Sequence, residues 1–73
     1  MATTTNARGH RLRAIREGKG WSRQTLSRKS GVSEATVARA ELYGQDVKLS
    51  TWDAWAAALD VPVSELVADG EAA

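Results

Sequence analysis

The run Ser33-Glu34-Ala35-Thr36-Val37-Ala38-Arg39 holds side chains suited to reading a surface by contact, not to breaking bonds. On a helix, residues three and four apart share a face, so Arg39 stands one turn beyond Ala35 and Thr36. A guanidinium fork can bond two adjacent acceptors, a hydroxyl can donate or accept, and a methyl packs against a methyl. Upstream, Arg23 and Gln24 follow Ser22, and a guanidinium there suits the oxygens of an anion. Covalent chemistry has no comparable footing. The chain has no cysteine, and its one histidine, His10, lacks the acidic or thiolate neighbours of a metal site. Nothing in the placement of Ser, His and Asp suggests a triad, and no glycine loop is built to cradle phosphate. The expectations are a protein that is not an enzyme, with no cofactor, no metal and no small-molecule ligand.

The charges narrow the partner. Residues 1–30 carry eight cations against Glu17 alone, net +7, while residues 31–73 carry Arg39 and Lys48 against eight carboxylates, net −6. This asymmetry points to a polyanion partner for the first half, or to two solvated faces of opposite sign. At 73 residues the chain is one domain, and one of this size buries only about 60% of the surface its unfolded form exposes. No apolar run approaches a membrane span, and the opening MATTTNA lacks the apolar core of a signal peptide. A cytoplasmic protein without membrane contact is expected.

Those side chains need helices to carry them. Leu12 and Ile15 give one apolar face to a helix over residues 9–17, which Gly18 and Gly20 end. Ser22 suits the N-cap of a second helix with Leu26 inside. Gly31 stops it and Ser33 caps a third, where Glu34 suits the positive end of the helix dipole. Val37 and Ala40 face inward on this third helix, which should finish near residues 42–43. The fourth helix has two candidate starts. Ser50 with Asp53 resembles a capping box, while a start near Lys48 lets Leu49 join Trp52, Trp55, Ala56 and Leu59 on one apolar face. Pro62 begins a short fifth helix with Val63, Leu66 and Val67. The tryptophans fit core positions better than base-stacking platforms, because Trp52 and Trp55 share the apolar face. No segment alternates with period two, so the class is all-α.

Gly31 interrupts two helix-favouring stretches in RQTLSRKSGVSEATVARAE, residues 23–41. Glycine reaches φ > 0 without a Cβ clash, so the chain can turn sharply there. Two short helices then meet, with small Ser27 and Ala40 where they touch, and one projects outward. That is a helix-turn-helix, whose second helix enters the DNA major groove. The run LRAIREGKGWSRQTLSRKSGVSEATVARAE resembles the phage-repressor/Cro (Xre-type) helix-turn-helix family. Leu12, Ile15, Arg16, Gly20, Ser22, Leu26, Gly31, Val32, Ser33, Val37 and Glu41 fall in its register. The match continues through Leu49, Trp52, Trp55, Ala56, Leu59, Val61 and Leu66. The chain departs from the family at Arg23, where Gln is usual, at Ser27 for Ala, and at Ala40 for a larger apolar residue. Tyr43 stands where glycine is usual, and Val47 replaces the customary loop proline.

The resemblance implies a compact five-helix repressor-type domain over residues 9–67, between a flexible arm, 1–8, and a frayed acidic tail, 68–73. It implies double-stranded DNA as partner and a transcriptional regulator, most simply a repressor of phage or mobile-element type. Arg16 and Glu41 pair, tying helix one to the end of helix three, or are two unrelated surface charges. Arg23 contacts a phosphate at the start of helix two, beside Gln24, or is solvated. Helix three presents Ser33, Glu34, Ala35, Thr36 and Arg39. Arg39 suits guanine O6 and N7, and Thr36 a phosphate or a thymine methyl. Ala35 packs on a methyl. Glu34 accepts from a cytosine amino group or only satisfies the dipole. Tyr43, Gln45 and Lys48 lie where family members touch the backbone. Arg28 and Lys29 form a solvated or steering surface, and the Arg8–Arg13 cluster extends the footprint as an arm. Two copies, or a homodimer, are expected on a repeated site. Val63, Leu66 and Val67 either join them or belong to the core. Two rival readings stand: an antitoxin or adaptor that binds protein through its acidic half, and the DNA-binding part of a longer regulator.

Overall fold

The computed structural model describes residues 7–44 and 47–67. They form α1 (Ala7–Gly18), α2 (Arg23–Ser30), α3 (Glu34–Tyr43), α4 (Leu49–Leu59) and α5 (Ser64–Val67), with no strand among the described residues. This is the all-α repressor-type helix-turn-helix architecture. α1 packs on α3 and α5, α2 on α3 and α4, and α4 on α5.

Local chemistry sets most of the boundaries. Ser22 caps α2 by accepting from the Thr25 N–H at 3.1 Å, and Ser33 caps α3 by accepting from the Thr36 N–H at 3.2 Å. Each cap also joins serine to threonine hydroxyl, at 3.0 and 2.8 Å. The same Ser-x-x-Thr device therefore starts both helices of the motif and removes an orphan donor from each. Between them Gly31 sits at φ 79°, and its N–H returns to the Ser27 carbonyl at 2.9 Å. A side chain at that φ is strained whatever the space around it, so the turn needs glycine. Val32 donates its N–H to Ser30 Oγ at 3.2 Å, which satisfies the next amide.

One stripe from each helix fills the core. Leu12, Leu26, Val37, Ala40, Trp52, Trp55, Ala56, Leu59 and Leu66 are buried together. Trp52 and Trp55 meet edge to face, with centroids 4.9 Å apart and planes at 83°. Trp21 is only half-buried against this cluster, with Lys19 and Lys29 ammoniums 5.8 and 5.2 Å from its ring centroid.

The structure revises the start of α1 and decides between the two candidate starts of α4. α1 begins at Ala7 instead of residue 9, so Arg8 belongs to the helix and not to the arm. Alanine, the strongest helix former, favours the earlier start. α4 begins at Leu49, behind Lys48, with no side-chain cap bond, so Ser50 and Asp53 form no capping box. Leu49 does not join the buried face; it is 61% exposed. Side chains lean towards a helix's N-terminus, which carries Leu49 beyond the core while Trp52 plugs it. At the other end Leu66 is fully buried, which settles it as core, with Val63 and Val67 half-buried against it.

Asp60 is the single non-glycine residue with positive φ among the described residues, at 61°. It closes α4 in a Schellman arrangement: Val61 N–H donates to the Ala56 carbonyl at 3.0 Å and Asp60 N–H to that of Ala57 at 3.2 Å. Aspartate tolerates this region better than most residues but still bears a Cβ penalty. Asp60→Gly is expected to stabilise the domain by about 0.5–1 kcal/mol, the strain relief outweighing the added freedom of the unfolded chain. A thermal melt followed by circular dichroism checks this, and an unchanged or lower midpoint would refute it.

Candidate nucleic-acid interface

α3 has two faces of different kind. Val37, Ala40 and Glu41 are buried. Ser33, Glu34, Ala35 and Arg39 are exposed, and Tyr43 is 69% exposed at the helix end. Ala35, Arg39 and Tyr43 follow at four-residue spacing and so share one stripe. The guanidinium of Arg39 has no partner among the described residues, which leaves its fork available. Thr36 is different: its hydroxyl and N–H are both engaged with Ser33 Oγ. These two expected contact residues are thus one cap. Glu34 stands exposed in the first turn, where a carboxylate suits the dipole. Gln24 at the start of α2 and Lys48 before α4 are also exposed. Gln45 lies outside the described residues.

Beneath this surface sits a charged cluster. Glu41 accepts from Arg16 Nε at 2.7 Å and from Arg16 Nη2 at 2.9 Å, a bidentate pair. Arg16 Nη1 donates to the Trp21 carbonyl at 2.7 Å, so one guanidinium ties α1, the turn before α2, and α3. The side chains are 7% and 0% exposed. The hydrogen bond to Glu41 raises the Arg16 pKa above its ordinary value, although burial opposes it. The pairing of Arg16 with Glu41 is therefore real and structural.

Arg23, expected to contact a phosphate or to be solvated, also has a partner inside the molecule. Its Nε donates to Glu41 Oε1 at 3.0 Å, across 18 residues of chain, and its side chain is 30% exposed. One carboxylate thus holds two guanidiniums. The clue in the sequence was the departure itself: arginine in place of a neutral amide introduces a charge that seeks the nearest carboxylate. Outside this group, Arg13 Nε donates to Glu17 Oε2 at 3.0 Å. That bond holds the Glu17 carboxyl below the usual range, with smaller help from the Arg13, Arg16 and Arg23 charges. Arg11 Nη1 lies 3.5 Å from the Leu66 carbonyl and so faces α5, away from an arm-like role.

The described residues contain no group of side chains able to hold a metal, and no helix of theirs is long and apolar enough to cross a membrane. The arrangement is an outward helix stripe with flanking cations, over a buried charged cluster that fixes the helix bearing them.

The helix-turn-helix family model HTH_3 matches residues 12–66. No curated protein matches the chain in sequence. Among solved structures, the restriction-modification controller protein C.AhdI from Aeromonas hydrophila is 35% identical with a TM-score of 0.78, over 84% of this chain and 94% of its own. A hypothetical transcription factor, NHTF, from Neisseria is 31% identical with a TM-score of 0.80, over 88% of this chain and 75% of its own. An HTH_3 family transcriptional regulator from Vibrio cholerae, 22% identical, shares the fold with a TM-score of 0.79 over 36% of its length. The chain belongs to the Xre/Cro-like helix-turn-helix family of DNA-binding transcriptional regulators.

Proposed function

We propose that the chain reads a specific duplex sequence by laying α3 along the major groove, and that it represses transcription by covering an operator or promoter. The observation that carries this is the exposed, unpartnered Arg39 on a helix whose opposite face is locked by the core and by Glu41. In this reading Arg39 bonds guanine O6 and N7, Ala35 packs on a thymine methyl, and the methyl of Thr36 lies beside it. Ser33, Gln24, Arg23, Tyr43, Gln45 and Lys48 hold the phosphate backbone on either side. Glu34 satisfies the helix dipole in the first turn. One such domain makes few contacts, so two copies bind a repeated or palindromic site. The protein works in the cytoplasm, on the nucleoid when bound. The 35% identity to a restriction-modification controller protein over most of both chains supports a regulator of that kind.

Selection of bound fragments from random duplexes, followed by sequencing, tests this. A recurrent motif with two half-sites is expected, and the absence of any enriched motif would refute specific reading. Arg39→Ala should then cost about 1–3 kcal/mol on the selected site and relax preference at one base pair. Equal loss on every sequence would make Arg39 a backbone contact instead.

A further inference from the structure

Glu41 is buried and stands away from any groove-facing surface, yet it reaches the edge of the interface through Arg23. Its Oε1 is shared by Arg16 Nη2 at 2.9 Å and Arg23 Nε at 3.0 Å. Arg16 is consumed inside the molecule, by Glu41 and the Trp21 carbonyl. Arg23 is not: one edge of its guanidinium is held, while its two outer amino groups have no partner among the described residues. The cluster of two guanidiniums and one carboxylate retains one positive charge, at the first residue of α2.

We infer that Glu41 is a positioning residue for DNA binding: it fixes the Arg23 guanidinium so that the outer amino fork is aimed, ready-set, at a backbone phosphate. This rests on the duplex-binding reading above. A loose arginine loses rotamer freedom when it grips an anion, and the Glu41 bond removes that freedom beforehand. Phosphate oxygens match the fork because guanidinium N–H groups are spaced to give two parallel bonds. The same carboxylate that joins α1 to α3 thereby sets a contact at α2, so the fold and the contact depend on one group. Glu17, whose carboxyl also feels the Arg23 charge, is tied up by Arg13 and leaves Glu41 as the holder.

Removing a negative charge near DNA should tighten binding if only the long-range field matters. If Glu41 aims Arg23, removing it should weaken binding, and only while Arg23 is present. Affinity for a selected duplex is measured across a salt series for the wild type, Arg23→Gln, Glu41→Gln and the double variant, at a temperature where circular dichroism shows each one folded. Arg23→Gln should flatten the slope of log K against log salt by about 0.9. Glu41→Gln should weaken wild-type binding at least about threefold, the low end of coupling within one side-chain network, and add nothing once Arg23 is Gln. Arg23→Lys keeps the charge and, because Arg16 still pairs with Glu41, the fold; it should keep the salt slope yet lose affinity, because an ammonium bonded to Glu41 has no planar fork left to give phosphate two parallel bonds. If Glu41→Gln does not fold, this variant decides alone. Tighter binding by Glu41→Gln, equal losses in both backgrounds, or full affinity in Arg23→Lys would each overturn the inference alone. A wild-type chain that bound no duplex would overturn the functional reading as well.

Discussion

Arg16→Ala is expected to lower the stability of the domain by about 3–5 kcal/mol, the range for removing one partner of a buried ion pair. The Glu41 side chain has no exposure, and this change takes away two of its hydrogen bonds, at 2.7 and 2.9 Å. Arg23 still donates at 3.0 Å but sits at the margin, so a buried carboxylate is left under-compensated. The Trp21 carbonyl loses its donor at the same time. A chain of this length has roughly 4–11 kcal/mol in total, so the variant sits near the edge of folding. Urea denaturation checks this: the midpoint should fall sharply with little change in slope. Arg16→Met combined with Glu41→Leu should recover most of the loss, because an apolar pair leaves no charge stranded. A loss below about 1 kcal/mol in Arg16→Ala would mean that the Arg23 bond alone suffices for Glu41.

What could be read from the residues follows from how local the deciding chemistry is. Ser22, Ser33, Gly31 and Gly44 act within one turn of their own position, so the limits of α2 and α3 stand where those residues put them. α4 has no such signal. Lys48 supplies no cap bond, Ser50 offers a false one, and the start depends on where Trp52 must sit to be buried. The end of α4 is equally mute, since Asp60 takes a left-handed conformation that glycine would announce. In the charged cluster, Arg16 and Glu41 are 25 residues apart and were legible through family register. The Arg23 bond to Glu41 was not, because that family position holds an amide with no such demand. The outward stripe of α3 was legible because helical periodicity alone separates Arg39 from Val37 and Ala40. The cap role of Thr36 was not read beforehand, although the Ser-x-x-Thr spacing repeated from α2 carried the hint of it.

Trp55→Ala is expected to cost about 3–5 kcal/mol, the range for emptying a large aromatic site in a core. Trp55 is fully buried and lies against Trp52, so truncation opens a cavity and removes the edge-to-face contact together. Among the described residues nine apolar ones are buried in the core, four of them on α4, so that loss loosens the seat of α2, which packs directly on α4. One detail separates volume from polarity. Trp55 Nε1 is buried without a hydrogen-bond partner among the described residues. An unsatisfied buried donor costs about 1–3 kcal/mol, so the native residue carries a penalty that a hydrocarbon ring would not. Trp55→Phe therefore loses packing but sheds that penalty, and should cost less than half of what Trp55→Ala does. Paired urea titrations of the two variants measure the difference. If Phe proved as damaging as Ala, the indole nitrogen would have to be satisfied in solution, and the penalty assigned to it would vanish.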